Sequence, residues 1–120
     1  MVYVYKLPLF AVPMERQRIN KQGYCYTPKK SRQYVKDCRL LFSVNHQGKI
    51  IESACKVEII VFKKREPTNK NYGDCDNLAK SILDSMTGIV FKDDCLVTEL
   101  IVKKYYSSAE NLIIVNVSVD

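Results

Sequence analysis

Alternation of apolar and polar residues predicts four strands in this chain. They span residues 2–9, ending near the proline at position 8, and residues 55–62, 97–106 and 112–119. In the second of these, Lys56 and Glu58 alternate with Cys55, Val57 and Ile59. Since side chains of a strand point alternately to its two faces, this pattern is typical of a strand with one buried face.

Apolar residues at three- and four-residue spacing predict two helices. The first opens with Thr27 as N-cap and Pro28 as first helical residue, where proline's missing N–H has no intrahelical partner to lose. Its apolar face ends near Asn45 and comprises Tyr34, Val35, Cys38, Leu41 and Phe42, whereas Lys29, Lys30, Arg32, Lys36 and Arg39 take the opposite face. The second helix starts near Asp76 and is terminated by Gly88.

The order strand, helix, strand, helix, strand, strand predicts an α+β fold. We expect a single domain over residues 1–120, in which a mixed β-sheet carries both helices on one face. The segment 16–26 mixes cations with tyrosines around Gly23 and predicts a loop or irregular hairpin. The segment 63–71 has no aliphatic or aromatic residue, and we expect a loop there.

Composition narrows the class of protein. A net charge of +6 and a pI of about 9.1 predict a polyanionic partner. No apolar run approaches the roughly 20 residues of a membrane span, and no signal peptide is evident at the start, so we expect a cytoplasmic protein without a membrane partner. Five widely spaced cysteines and one histidine favour reduced thiols over disulfides or zinc.

Charge is unevenly distributed along the chain. Residues 16–39 carry eight Lys or Arg and the single acid Asp37. Six of the 13 acidic residues fall in one later segment, namely Asp74, Asp76, Asp84, Asp93, Asp94 and Glu99. Carboxylates that converge repel one another unless a cation lies between them. Oxygen ligands without His or Cys select Mg²⁺ or Mn²⁺, and Lys80 would neutralise charge on a phosphodiester under attack.

A purely structural interpretation accounts for the same spacing. Asp76 would be an N-cap, Lys80 and Asp84 a surface pair worth roughly 0.3 to 0.5 kcal/mol, and Asp93 and Asp94 an ordinary turn. Spacing alone does not decide between a metal site and this interpretation. The basic surface, with Tyr24 and Tyr26 among its cations, favours contacts to phosphates and bases.

The acidic segment resembles the RusA family of Holliday-junction resolvases. The resemblance rests on Asp74-Cys75-Asp76-Asn77-Leu78-Ala79-Lys80, on Asp84, and on Asp93-Asp94 followed by Val97 and Glu99. Upstream, Tyr26 to Lys30 is similar to the start of the family's first helix. The resemblance covers most of the chain.

This resemblance implies a Mg²⁺-dependent endodeoxyribonuclease, with Mn²⁺ as a substitute ion and no small-molecule cofactor. Such an enzyme acts as a homodimer that makes paired symmetric nicks in four-way junction DNA during recombination and repair, and members are often encoded by phages or prophages. By motif position, Asp74, Asp76 and Asp94 would bind the metal and Lys80 would be the catalytic cation. Asp93 is the alternative to Asp94, and Asn77 and Asp84 would support these residues.

Basic residues outside the acidic segment are the candidates for phosphate contacts. They are Arg16, Arg18, Lys21, Lys29, Lys30, Arg32, Lys63, Lys64, Arg65 and Lys70. Two other classes of protein stay open at this point. One is a non-catalytic nucleic-acid-binding module with a structural acidic cluster, and the other is a structural protein stapled by Ca²⁺ or Mg²⁺.

Overall fold

The computed structural model describes residues 1–14, 18–64, 74–107 and 109–119. Its elements in chain order are β1 (Val2–Leu7), β2 (Arg18–Ile19), β3 (Cys25–Tyr26), α1 (Lys29–Asn45), β4 (Cys55–Lys63), α2 (Cys75–Met86), a 3-10 helix (Asp94–Leu96), β5 (Val97–Tyr106) and β6 (Leu112–Val119). β2 and β3 form a small antiparallel hairpin. The predicted order of strands and helices is therefore observed, and the basic segment adds this hairpin.

Four of the strands form one mixed sheet in the order β1-β6-β4-β5. β6 pairs antiparallel with both β1 and β4, whereas β4 and β5 are parallel. A parallel pair needs a crossover connection, usually a helix, and α2 lies on the connection between β4 and β5. This crossover packs α2 against β5 and against the 3-10 helix that leads into it.

Both helices cover one face of the sheet. Along β4, Val57, Ile59 and Val61 are buried beneath the helices, while Lys56 on the opposite face is exposed. α1 buries Tyr34, Cys38 and Phe42 against this layer, and α2 buries Leu78, Ile82 and Met86. Each Val, Leu, Ile, Phe or Met side chain among them contributes roughly 1.5 to 3 kcal/mol when fully buried. The predicted α+β class, with its helices on one face of a mixed sheet, is confirmed.

Several boundaries differ from the predicted ones by one or two residues. Pro28 is itself the N-cap of α1, with an extended backbone at φ −54° and ψ 143°. Asp74 rather than Asp76 precedes α2. The C-terminal prediction is confirmed, because Thr87 caps α2 and Gly88 follows with the left-handed φ of 83° that a side chain would disfavour.

Two further features bear on the class of protein. Within the described ranges no helix is long and apolar enough to cross a membrane. All five cysteines lie in those ranges and are free thiols there.

Candidate active site

The N-terminal end of α2 presents two carboxylates. Asp74 occupies the N-cap position with an extended backbone, and its carbonyl accepts the N–H of Leu78 at 3.0 Å. Its side chain makes no capping hydrogen bond. Asp76 lies in the first helical turn, where the helix dipole favours negative charge. The simple capping interpretation of Asp76 is therefore wrong, and the carboxylate of Asp74 is not used to hold the helix end.

The second acidic pair lies where the 3-10 helix begins. Asp93 is the cap of this helix, and its side chain accepts the N–H of Cys95 at 3.2 Å. That bond lowers the pKa of Asp93, whereas the hydrogen bond that Asp94 shares with the Asp93 carboxyl raises the pKa of Asp94. Partial burial and the charge of Asp84 add to this rise, and Lys80 opposes it. Asp93 thus caps the 3-10 helix and shares a hydrogen bond with Asp94, which is the first residue of that helix.

Asp76, Lys80 and Asp94 line one open cleft of about 340 Å³ between α2 and β5. Asp76 and Lys80 share a helix face because they are four residues apart. The apolar walls of this α2–β5 cleft are Ala79, Leu83, Leu100 and Val102. Two carboxylates and one ammonium group therefore meet beside an apolar surface at the edge of the sheet.

The remaining acidic candidates lie around this cleft. Asp74 is exposed at the helix end and is not part of the cleft lining. Asp84, one turn beyond Lys80, lines a neighbouring groove between the two helices. Asn77 is exposed, and its carbonyl accepts the N–H of Met14 at 3.0 Å, which ties the segment before the hairpin to α2. The structure thus brings together two of the three predicted metal ligands and the predicted lysine.

The α2–β5 cleft offers carboxylate oxygens as donors for a metal ion. In the part of the chain that the structure describes, no three Asp, Glu, His or Cys side chains are close enough to hold an ion together. Asp76 and Asp94 nevertheless fit Mg²⁺, which typically uses one or two protein carboxylates, several waters and a substrate phosphate. The pKa of Asp94 is raised first by the hydrogen bond shared with Asp93, then by burial and by the negative charges of Asp93 and Asp84. A cation would relieve the repulsion from these charges. The residues present therefore fit a hard divalent cation.

Comparison with protein families decides which class of protein this is. The family model described as Endodeoxyribonuclease RusA matches residues 8–118, nearly the whole chain. The chain belongs to the RusA family. No match was found among curated proteins.

Membership of the RusA family confirms the resemblance seen in the sequence. It supports a junction-resolving endodeoxyribonuclease, for which junction DNA is the partner. The matched residues include the α2–β5 cleft and the whole of the basic segment 16–39. We therefore take this cleft as the candidate active site of a RusA-family nuclease.

The predicted phosphate-contacting residues fall into three groups. Those exposed in the structure are Arg18, Lys21, Lys29, Lys30, Arg32 and Lys64. Arg16, Arg65 and Lys70 lie outside the described residues. The third group is Lys63 alone, which is buried. The exposed residues belong to the β2–β3 hairpin, the first turn of α1 and the end of β4, all of them places that DNA can reach.

Lys63 requires a correction. It is the last residue of β4 rather than part of a loop, and its side chain is 0% exposed. Its ammonium group lies 4.5 Å from the centroid of the Phe10 ring. Because the alternation of β4 continues through this position, Lys63 points to the same face as Val61. The prediction that it contacts phosphate is wrong for this reason.

Arg39 is a supporting residue that the sequence did not reveal. We expected it on the solvent side of α1, but its guanidinium donates to the carbonyls of Thr87 at 3.0 Å and Asp84 at 3.3 Å. These are carbonyls of the last turn of α2, where a cation is favoured by the helix dipole. Arg39 thus fixes the helix that carries Asp76 and Lys80. No local sequence pattern signals a contact between positions so far apart.

Proposed function

We propose that this chain is a Mg²⁺-dependent endonuclease that resolves four-way DNA junctions by paired symmetric nicks. Mn²⁺ would substitute for Mg²⁺, and the reaction would serve DNA recombination and repair. The observation that carries the proposal is the meeting of Asp76, Asp94 and Lys80 in one cleft of a RusA-family chain. The net charge of +6 supports a nucleic acid as the substrate.

In this proposal Asp76 and Asp94 hold the ion from two sides of the cleft, and Asp74 is the third carboxylate. The ion would supply Lewis-acid activation of the phosphodiester and of the attacking water. Lys80 lies on the same helix face as Asp76, so its ammonium group is placed to stabilise negative charge that develops on the phosphate. Asp93 keeps Asp94 in position through its hydrogen bond to Cys95. Asp84 and Asn77 support the same helix.

The exposed cations would bind the DNA, and the cleft would cut it. Arg18 and Lys21 on the hairpin, together with Lys29 and Lys30 at the start of α1, would hold backbone phosphates and orient the junction. Such contacts carry little sequence information but dominate the affinity and make it sensitive to salt. The cleft itself would then need only to hydrolyse the strand delivered to it.

Paired nicks need two cleavage sites, and we propose a homodimer. The sheet face opposite the helices has no layer packed on it within the described residues, although it carries Ile60, Phe62 and Ile114, all half-buried. On this open face the rings of Phe62 and Tyr105 stack with centroids 5.6 Å apart. A two-fold dimer through this face would match the pseudo-symmetry of a four-way junction.

The experiment compares three DNA substrates. Purified protein is incubated with four-way junction, linear duplex and single-stranded DNA, each with Mg²⁺, Mn²⁺ or EDTA. We expect symmetric nicks in the junction alone, and only with metal. Asp76→Asn should abolish cleavage but retain junction binding, whereas Glu52→Gln, which removes an exposed carboxylate away from the cleft, should leave both unchanged. Equal cutting by Asp76→Asn and wild type would refute the site.

One specific observation supports a second candidate function. Because the described residues do not gather three carboxylates, the chain could act as a non-catalytic module that binds nucleic acid. This module would shift junction DNA on a gel and cut nothing in either metal. The same incubation separates the two functions. Family membership favours the nuclease.

A further inference from the structure

A second depression lies beside the α2–β5 cleft, between the first half of α1 and the middle of α2. This α1–α2 groove has a volume of about 620 Å³. Its polar lining consists of Thr27, Ser31, Arg32, Lys36, Lys80 and Asp84. Lys80 lines both the groove and the cleft. The two depressions are therefore neighbours with a lysine between them.

The groove carries an excess of positive charge. Arg32 and Lys36 are four residues apart on one face of α1, and Lys80 faces them from α2, against the single carboxylate Asp84. In the described part of the chain, none of these three cations makes a hydrogen bond or salt bridge. Cations from two separate helices that converge on one depression, in excess over its single carboxylate, favour an anionic ligand.

Ser31 provides an independent indication of a ligand. Its side chain lines the groove and is 3% exposed, and its hydroxyl has no hydrogen-bond partner among the residues that the structure describes. An unbonded buried hydroxyl is unfavourable, so such groups usually have a partner or await one. Ser31 also lies in the first turn of α1, where backbone N–H groups have no intrahelical acceptor and the side chain of the N-cap, Pro28, supplies none. A phosphate oxygen would satisfy these donors.

We propose that the α1–α2 groove binds a backbone phosphate of the DNA strand, next to the phosphate that is cut. This inference rests on the proposed function, because it takes the cleft as the place of cleavage. Arg32 offers a planar set of donors suited to two phosphate oxygens. Lys80 would then lie between the bound phosphate and the scissile one. The groove fixes which phosphate of the strand enters the cleft.

The test pairs protein variants with chemically altered DNA. Four-way junctions are made with a single neutral methylphosphonate at each phosphate near the branch point of one strand, and affinity is measured in EDTA. For wild type, one position should weaken binding about tenfold, as expected for a charge-assisted contact. Arg32→Gln and Lys36→Gln should bind the unmodified junction more weakly and lose most of this position dependence. Lys49→Gln removes an exposed charge outside the groove and should keep it.

Two further measurements distinguish this contact from a structural role and from a different ligand. Ser31→Ala should weaken the same position-dependent effect while leaving the melting temperature unchanged or higher, because it removes an unbonded buried hydroxyl. Inorganic phosphate should compete with junction DNA only at high concentration. If inorganic phosphate at low concentration raised the melting temperature and DNA did not compete with it, the groove would be a free-phosphate site. That result would overturn the proposal.

The proposal would also be overturned if the methylphosphonate weakened junction binding equally in wild type, Arg32→Gln and Lys36→Gln. The groove would then not contact that phosphate. The readout needs no cleavage. A chain that binds junctions but does not cut them would refute the proposed function and leave the groove contact standing. A nuclease without the position dependence would refute only the groove.

Discussion

Asp76 and Asp94 line the same cleft from two different elements, one from the first turn of α2 and the other from the 3-10 helix that leads into β5. The adjacent Asp93 does not share this position. Its carboxylate accepts the N–H of Cys95 at 3.2 Å and so belongs to the turn. The two neighbouring aspartates therefore differ in position, since only Asp94 lines the cleft.

The first prediction separates Asp93 from Asp94. Asp94→Asn should lower junction cleavage by roughly two to three orders of magnitude, as loss of a preorganised electrostatic group does in other active sites. Asp93→Asn should lower it by less than about tenfold, because asparagine also accepts a backbone N–H as a cap. Single-turnover cleavage in Mg²⁺ measures both, with junction affinity in EDTA as the folding control. A larger loss in Asp93→Asn would make Asp93 the metal ligand.

The second prediction uses the adjacent pair Lys63 and Lys64, of which only Lys64 is exposed. Lys63→Ala should lower the free energy of unfolding by about 2 kcal/mol through loss of the buried stem and of the contact with the Phe10 ring. Its salt dependence of DNA binding should be that of wild type. Lys64→Ala should leave the free energy of unfolding unchanged and reduce the slope of log affinity against log salt by about 0.9. Urea unfolding and salt titrations check the pair. If both variants change the salt slope equally, Lys63 is accessible to DNA.

The sequence pattern predicts correctly those features that depend on a single helix or strand. The ranges of β5 and β6 were predicted to the residue, and the shared face of Asp76 and Lys80 followed from their spacing on a helix. The period-two pattern of β4 also places Lys63 on the buried face, whereas the run of charged and polar residues that begins there predicts a loop. At Lys63 the alternation of the strand, and not the low strand propensity of lysine, determines the structure.

Contacts between elements could not be predicted in this way. The choice of Asp94 over Asp93 depends on which side chain caps the 3-10 helix, and both carboxylates are suited to that. The docking of Arg39 on the last turn of α2 depends on how α1 and α2 cross. The groove that Lys80 shares with Arg32 arises from the same crossing. Neither spacing nor composition encodes these relationships.

The third prediction concerns Arg39, which joins the two helices. Arg39→Met should lower the free energy of unfolding by about 1.5 to 3 kcal/mol, the range for hydrogen bonds to charged groups, because the carbonyls of Thr87 and Asp84 lose their donor. Lys49→Met, an exposed cation after α1, should change it by less than about 0.5 kcal/mol. Urea unfolding measures both variants. A loss of stability as large in the control would show a general charge effect instead.

The fourth prediction concerns the pH dependence of stability and the carboxylate of Glu58 on the open face of the sheet. Hydrogen bonds from Asn116, at 3.0 Å, and from Lys103, at 3.2 Å, lower its pKa below the ordinary value of 4.5. A carboxyl whose pKa is lower in the folded chain stabilises the fold above the unfolded pKa, and this contribution is lost as pH falls through the folded pKa. The difference in free energy of unfolding between wild type and Glu58→Gln should therefore be constant at neutral pH and shrink below about pH 4.5. Urea unfolding over that range measures it.

The control is Glu99→Gln. Glu99 lies 3.6 Å from Lys56 in a pair whose side chains are both about half exposed, and exposed pairs contribute little. A difference for Glu58→Gln that grows as the pH falls would reverse the sign and contradict the assignment.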